Sequence, residues 1–82
     1  MQSLIEFIAR NLVDNPDAVE VHTVRENRFA TVLRLRVHED DLGKVIGRQG
    51  RVAKSMRTLM RTAATLQEKR HVGLEIDELA ES

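Results

Sequence analysis

The chain has no cysteine, no tryptophan and no tyrosine. Without cysteine there can be no disulfide framework, no thiolate metal site and no cysteine nucleophile, and a reducing cytosol is the compartment that such a composition fits. Aromatic residues amount to Phe7 and Phe29 alone, too few for the base-stacking platform on which some nucleic-acid binders depend. Long hydrophobic runs are absent as well: Glu6 and Arg10 interrupt the N-terminal apolar stretch where a signal-peptide core would be unbroken, and no segment approaches the roughly 20 apolar residues of a membrane span. A cytoplasmic protein without a membrane anchor is expected. Net charge is zero, with 13 basic and 13 acidic side chains, so long-range attraction to a polyanion cannot come from the chain as a whole. Glycine is scarce, at four residues, and proline occurs once.

What is present is a globular balance of 41% hydrophobic and 32% charged residues over 82 positions, enough for one small core and one domain spanning 1–82. Ser3 is placed to cap a first helix in which Leu4, Ile5, Ile8 and Leu12 recur at helical spacing, with Phe7 at the edge of that face and Asn15-Pro16-Asp17 as the stop. Alternation then predicts two strands, Val19 to Glu26 and Phe29 to His38, joined at Asn27 as a hairpin. Val19, Val21 and Thr23 share the inner face with Phe29, Thr31, Leu33, Leu35 and Val37; Arg34, Arg36 and His38 point away. Glu39-Asp40-Asp41 supplies N-caps for a short helix with Leu42, Val45 and Ile46 on one side. A long helix restarts near Gly50 and runs to about Lys69, burying Val52, Met56, Leu59, Met60, Ala63 and Leu66. "HVGLEID" reads as a third strand with Val72, Leu74 and Ile76 inward, and residues 78–82 as a frayed acidic tail. The expected class is α+β: helix, strand, strand, helix, helix, strand, with a three-stranded sheet covered on one face by three helices. There is no internal repeat or linker.

Three of the four glycines fall in "GKVIGRQG". By itself, Gly47-Arg48-Gln49-Gly50 is a tight turn between helices, with Gly47 as a left-handed cap and Gly50 giving clearance. Two features add to it. The second helix begins at this turn, so backbone N–H groups and the positive end of the helix dipole face outward where an anion could sit. Lys44, Arg48, Arg51, Lys54, Arg57 and Arg61 also fall between Gly43 and Arg61 with no acid among them. At about 100° per residue Lys54, Arg57 and Arg61 form a stripe opposite the expected core face. Arg61 lies about 16 Å along the axis from Gly50, which leaves Arg48, Arg51 and Lys54 as first contacts for a phosphate at the loop.

The run "DDLGKVIGRQGRVAKSMRTLMRTAA" closely resembles a K-homology (KH) RNA-binding domain, and the order of elements along the whole chain is that of the type II KH fold. Among stand-alone proteins of this kind the sequence is similar to the bacterial KhpA family. The resemblance implies a loop that clamps the backbone of single-stranded RNA beside a groove for about four nucleotides. Val45 and Ile46 match the aliphatic pair, Gly47 and Gly50 the motif glycines, and Arg48 and Gln49 the variable loop positions. Val45 and Ile46, with part of the hairpin's second strand, would floor the groove. It further implies self-dimers or pairing with a Jag-type KH protein, and roles in RNA binding, RNA chaperoning or post-transcriptional control connected with cell elongation, cell shape and wall growth. No cofactor or metal is implied. A protein-interaction module acting mainly through such pairing is the alternative.

Enzymatic chemistry finds little purchase. The glycines satisfy neither G-x-x-x-x-G-K-[ST] nor G-x-G-x-x-G. His22, His38 and His71 are scattered along strands rather than set at metal-ligand spacing, Asp40 and Asp41 sit at a helix start as caps, and Ser55 has no base beside it in sequence. A non-enzyme is expected.

Overall fold

The computed structural model describes residues 1–78. Helix α1 covers Gln2–Leu12, strands β1 and β2 cover Glu20–Glu26 and Ala30–Val37, helices α2 and α3 cover Leu42–Ile46 and Arg51–Leu66, and strand β3 covers His71–Glu78. The expected order of elements is the order observed. β2 is central. It pairs antiparallel with β1 and parallel with β3, and the parallel pairing requires the long crossover that α2 and α3 provide. α1 packs on β1 and β2, α2 and α3 on β3. Ile5, Ala9, Leu33, Leu35, Val37, Val45, Met56, Met60 and Leu74 fill the space between the layers.

Several local expectations are revised. Ser3 does not cap α1: the helix starts two residues earlier, with Met1 at the cap and its carbonyl accepting from the amides of Leu4 and Ile5. Thr23 is exposed and hydrogen-bonded to Gln2, and an irregularity in register follows it, between Thr23 and Arg25. Phe29 is not an inner-face strand residue. Asn27 turns the chain by accepting from the amides of Phe29 and Ala30, which leaves Phe29 at the end of the hairpin, 55% exposed.

α3 ends at Leu66 rather than near Lys69. Glu68 takes a left-handed conformation (φ 59), the Lys69 amide returns to the Ala64 carbonyl, and the Lys69 ammonium reaches the hairpin, bonding the Asn27 carbonyl and pairing with Glu26 at 2.9 Å. That contact, formed 42 residues apart in sequence, reverses the chain into β3. The core face of α3 is also rotated from the expected one: Ala53, Met56, Met60 and Ala64 are buried, while Leu59 and Leu66 are exposed. The alanines let the helix lie close to the sheet. Glu78 is the last residue of β3, paired with Val37, not the start of a frayed tail; the remainder of that expected tail, 79–82, lies outside the described residues. Among the described residues no helix is long and apolar enough to cross a membrane.

Candidate nucleic-acid interface

α2 ends at Ile46 and α3 begins at Arg51, and the four residues between them reverse the chain through unusual backbone angles. Gly47 stands at φ 77, ψ 173, a region open in practice only to glycine. A Cβ there would lie 2.4 Å from Val52 Cγ2 and 2.9 Å from the Val52 amide nitrogen. Gly47 is therefore not the left-handed cap that a simple turn would use. Gln49 and Gly50 are the left-handed residues, at φ 56 and φ 74. The Gly47 amide bonds the Gly43 carbonyl and the Gly50 amide bonds the Gly47 carbonyl, so the loop is held by its own backbone. No side chain caps the N-terminus of α3, and the positive end of its dipole is left facing the loop.

Arg48, Gln49, Arg51 and Lys54 are all exposed around this turn. Arg51 Nη2 approaches Gln49 Oε1 at 3.4 Å, and none of the three cations is in an ion pair among the described residues. Lys44 is placed differently. Its ammonium pairs with Asp14 and stands 3.8 Å from Asp41 Oδ1. The hydrogen bond to Asp14 outweighs partial burial and holds the Lys44 pKa above the ordinary lysine value. Lys44 is a bound cation, not a free one.

Val45 has no exposed surface and belongs to the core, so it does not supply the groove floor expected of it. It faces inward because α2 has a single turn to anchor against the sheet. Ile46 is 36% exposed, whereas Val52 and Ile76 are partly buried against the core.

Asp41, expected as a cap, is instead a buried tie. Its carboxylate accepts from the amides of Asp14 and Asn15 at 3.1 and 3.0 Å and from the Asn15 side chain at 3.0 Å. Burial favours its neutral form, but these donors together with Lys44 prevail and hold its pKa below the ordinary aspartate value. It fastens the segment after α1 to the start of α2 and so positions the glycine loop. The cap at this point comes from His38, whose Nδ1 accepts from the Asp40 amide at 3.1 Å.

The rotated core face of α3 puts Arg57 and Arg61 beside β3 instead of opposite the sheet; Arg57 Nη2 lies 3.4 Å from the Leu74 carbonyl oxygen. Sequence reasoning gave neither Arg28 nor Arg70 a place at the site, although both are exposed at the far end of the same flank. Their signal was present only as isolated charges in two separate turns. Among the described residues no group of histidine and carboxylate side chains is arranged to hold a metal ion.

The chain matches the family described as "KhpA/KhpB, KH domain" over residues 2–76, from the start of α1 into β3. It is 49% identical to the protein named RNA-binding protein KhpA of Caldanaerobacter subterraneus subsp. tengcongensis, covering 93% of this chain and 99% of that one. Identity is likewise 49% to RNA-binding protein KhpA of Halalkalibacterium halodurans, over 93% of this chain and 97% of the relative. With the protein of the same name from Clostridium acetobutylicum it is 47%, over 88% and 95%. No solved structure matches the chain. The matched family is one of KH domains and not of enzymes. Sequence match, element order and loop agree, and the chain belongs to the KhpA/KhpB family of KH domains.

Proposed function

We propose that this chain binds single-stranded RNA by clamping one stretch of backbone at Gly47-Arg48-Gln49-Gly50, with Arg48, Arg51 and Lys54 as the cations that meet the phosphates. The observation that carries the reading is the loop itself: a glycine-only conformation at Gly47, an uncapped α3 N-terminus and three exposed, unpaired cations within one turn of it. Ile46 gives the adjoining surface an aliphatic character that accepts bases without discriminating strongly among them. The three relatives carry the name RNA-binding protein, which favours the same ligand here. Post-transcriptional control or RNA chaperoning in the cytoplasm, with a bearing on cell elongation and wall growth, is the role that the family resemblance suggests for such a binder.

The test is the double substitution Arg48→Asp with Gln49→Asp. Both side chains are exposed, and surface changes of this kind alter stability by less than about 0.5 kcal/mol. Binding should nevertheless vanish, because a charge-assisted hydrogen bond worth about 1.5 to 3 kcal/mol is lost and two carboxylates repel the phosphate. In the wild type, neutralising about two or three phosphates gives a log–log salt slope of roughly −1.4 to −2.1 for a single strand. A variant that melts and binds like the wild type would leave the loop as a turn only.

A second reading, pairing with another copy or with a Jag-type KH protein, is favoured by apolar side chains left uncovered on two helices: Phe7 at 68% exposure on α1, and Leu59 and Leu66 at 46% and 85% on α3. The two readings are compatible, since coupling two weak grooves raises avidity through effective concentration.

A further inference from the structure

The far end of the molecule from the glycine loop carries a second cluster of exposed cations, and it is built around one of the chain's two aromatic rings. A cleft of about 540 Å³ is lined by Arg28, Phe29, Gln67, Glu68, Lys69 and Arg70. The Arg28 guanidinium sits 5.3 Å over the Phe29 ring, yet Phe29 remains more than half exposed. The turn is firmly made. The Phe29 carbonyl accepts from the amides of both Arg70 and His71, so the hairpin end and the entry to β3 hold one another independently of the Phe29 side chain. Lys69 is occupied by Glu26 and the Asn27 carbonyl, which leaves Arg28 and Arg70 as the available charges, with Glu68 the one acid lining the cleft.

This cleft is not isolated from the loop. Lys69 and Arg70 also line a neighbouring depression of about 220 Å³ together with Arg61 and Val72, and Arg57 lies between that depression and Lys54, against β3. Cations therefore run from Arg48 along the β3 flank of α3 to the hairpin, where Glu68 lies among them.

We infer that the Arg28–Phe29 turn with Arg70 is a second RNA contact, in which the ring stacks on a base and the guanidinium groups take phosphates, so that a strand clamped at the glycine loop continues along α3 to the hairpin. This rests on the RNA-binding reading of the loop and extends it. The chemistry suits a nucleotide unit: an exposed aromatic face for any base, and cations beside it for the backbone. Length follows from the helix. Gly50 to Leu66 spans about 24 Å at 1.5 Å per residue, at most about seven nucleotides if the strand keeps the roughly 3.4 Å spacing of a duplex strand and fewer if it is extended. Added to the four or so at a KH groove, the full path takes at most about a dozen.

The experiment compares 4- and 12-nucleotide oligouridines by fluorescence anisotropy. A clamp that reads about four nucleotides alone gains from the 12-mer only the number of frames, about ninefold; the extended path gains more than that. Arg28→Glu and Phe29→Ala should each weaken the 12-mer by about fivefold or more, the loss typical of one stacked base, and leave the 4-mer unchanged. Phe29→Trp should keep 12-mer affinity. Because the chain contains no tryptophan, its fluorescence reports on that ring alone, and the 12-mer should quench it while the 4-mer does not. If both weakening variants bind the 12-mer as the wild type does while the Arg48→Asp/Gln49→Asp protein does not bind, the hairpin contact is wrong and the loop reading stands. If instead the loop variant still binds, the loop reading has failed. Equal quenching by uridine monophosphate and by the 12-mer would mark a mononucleotide pocket and overturn the continuous path.

Discussion

Gly47 and Gly50 look equivalent in a G-x-x-G pattern, but their alanine variants should differ sharply. At Gly47 the backbone (φ 77, ψ 173) costs a residue with a side chain about 1–3 kcal/mol. The new methyl would also collide with Val52, at 2.4 Å from Cγ2 and 2.9 Å from Cβ, and forcing α3 to yield adds about 1–3 kcal/mol. Gly47→Ala should thus cost about 2–6 kcal/mol, a large part of the roughly 5–15 kcal/mol that holds a domain together. At Gly50 the conformation is ordinary left-handed (φ 74, ψ 15) and no atom lies within 4 Å of the added Cβ, so Gly50→Ala should cost only about 1–2 kcal/mol. Urea and thermal melts followed by far-UV circular dichroism measure both, with each kcal/mol worth about 4–8 °C in a domain of this size. Gly43→Ala is the control: it is helical and unhindered, and alanine there should be neutral or stabilise by about 0.5–1 kcal/mol. In a Val52→Ala background the Gly47→Ala penalty should shrink but not vanish, since the backbone strain and the contact with the Val52 amide remain. Equal melting of the Gly47 and Gly50 variants, or an undiminished penalty in that background, would refute the reasoning.

Asp41 and Glu26 both hold their protons less tightly folded than unfolded, Glu26 through hydrogen bonds from Thr31 and then Lys69. Each stabilises the fold above the ordinary carboxylate range, and that contribution is lost as pH falls through the lowered folded-state values. Melting temperature should therefore fall steeply below about pH 4, and Asp41→Asn, which turns an amide toward three donors, should lower it at neutral pH far more than Asp40→Asn does. Lys44→Ala should reduce RNA affinity less than Lys54→Ala while lowering stability more, because Lys44 is spent on Asp14 and Asp41; titrations and melts of the two variants check this. Sedimentation at high micromolar concentration should show a dimer, or co-purification a KH-domain partner; a lone monomer with neither would remove the pairing proposal.

Much of the architecture was legible because local chemistry and tertiary packing agree. The 3.6-residue recurrence in α1, the alternation of Leu33, Leu35 and Val37, and the glycines that break α2 from α3 each require one outcome. What was not legible depended on partners distant in sequence. Lys44 looked free because Asp14 is 30 residues away. α3 looked longer because its continuation to Lys69 is helix-compatible until Lys69 docks on the hairpin. Val45 was misassigned for a different reason: a one-turn helix has no periodicity long enough to tell its core side from its open side, and only the packing against the sheet distinguishes Val45 from Ile46.

The same long-range pairing explains how a chain of zero net charge presents a polycation surface. No acid occurs between Asp41 and Glu68, so the α2–α3 segment brings cations without their counterions. Folding then removes charges selectively. Arg10, Arg34, Lys44 and Lys69 find carboxylates among the described residues, and none of the four is on α3. Among those left are Arg48 in the glycine loop and Arg51, Lys54, Arg57 and Arg61 on α3, a helix with no acid to satisfy them internally. Most of the acids sit elsewhere in the chain, on α1, in the turn before α2 and along the strands, and salt screens exposed charges beyond roughly 8–10 Å. An anionic strand approaching α3 meets the local field, not the total. Placing an acid within this segment, as in Thr58→Glu, should therefore weaken RNA binding although the Thr58 hydroxyl bonds only the Lys54 carbonyl of its own helix among the described residues, whereas the same charge added at exposed Asn11 on α1 should leave affinity unchanged; equal effects in a salt titration would show that net charge governs binding after all.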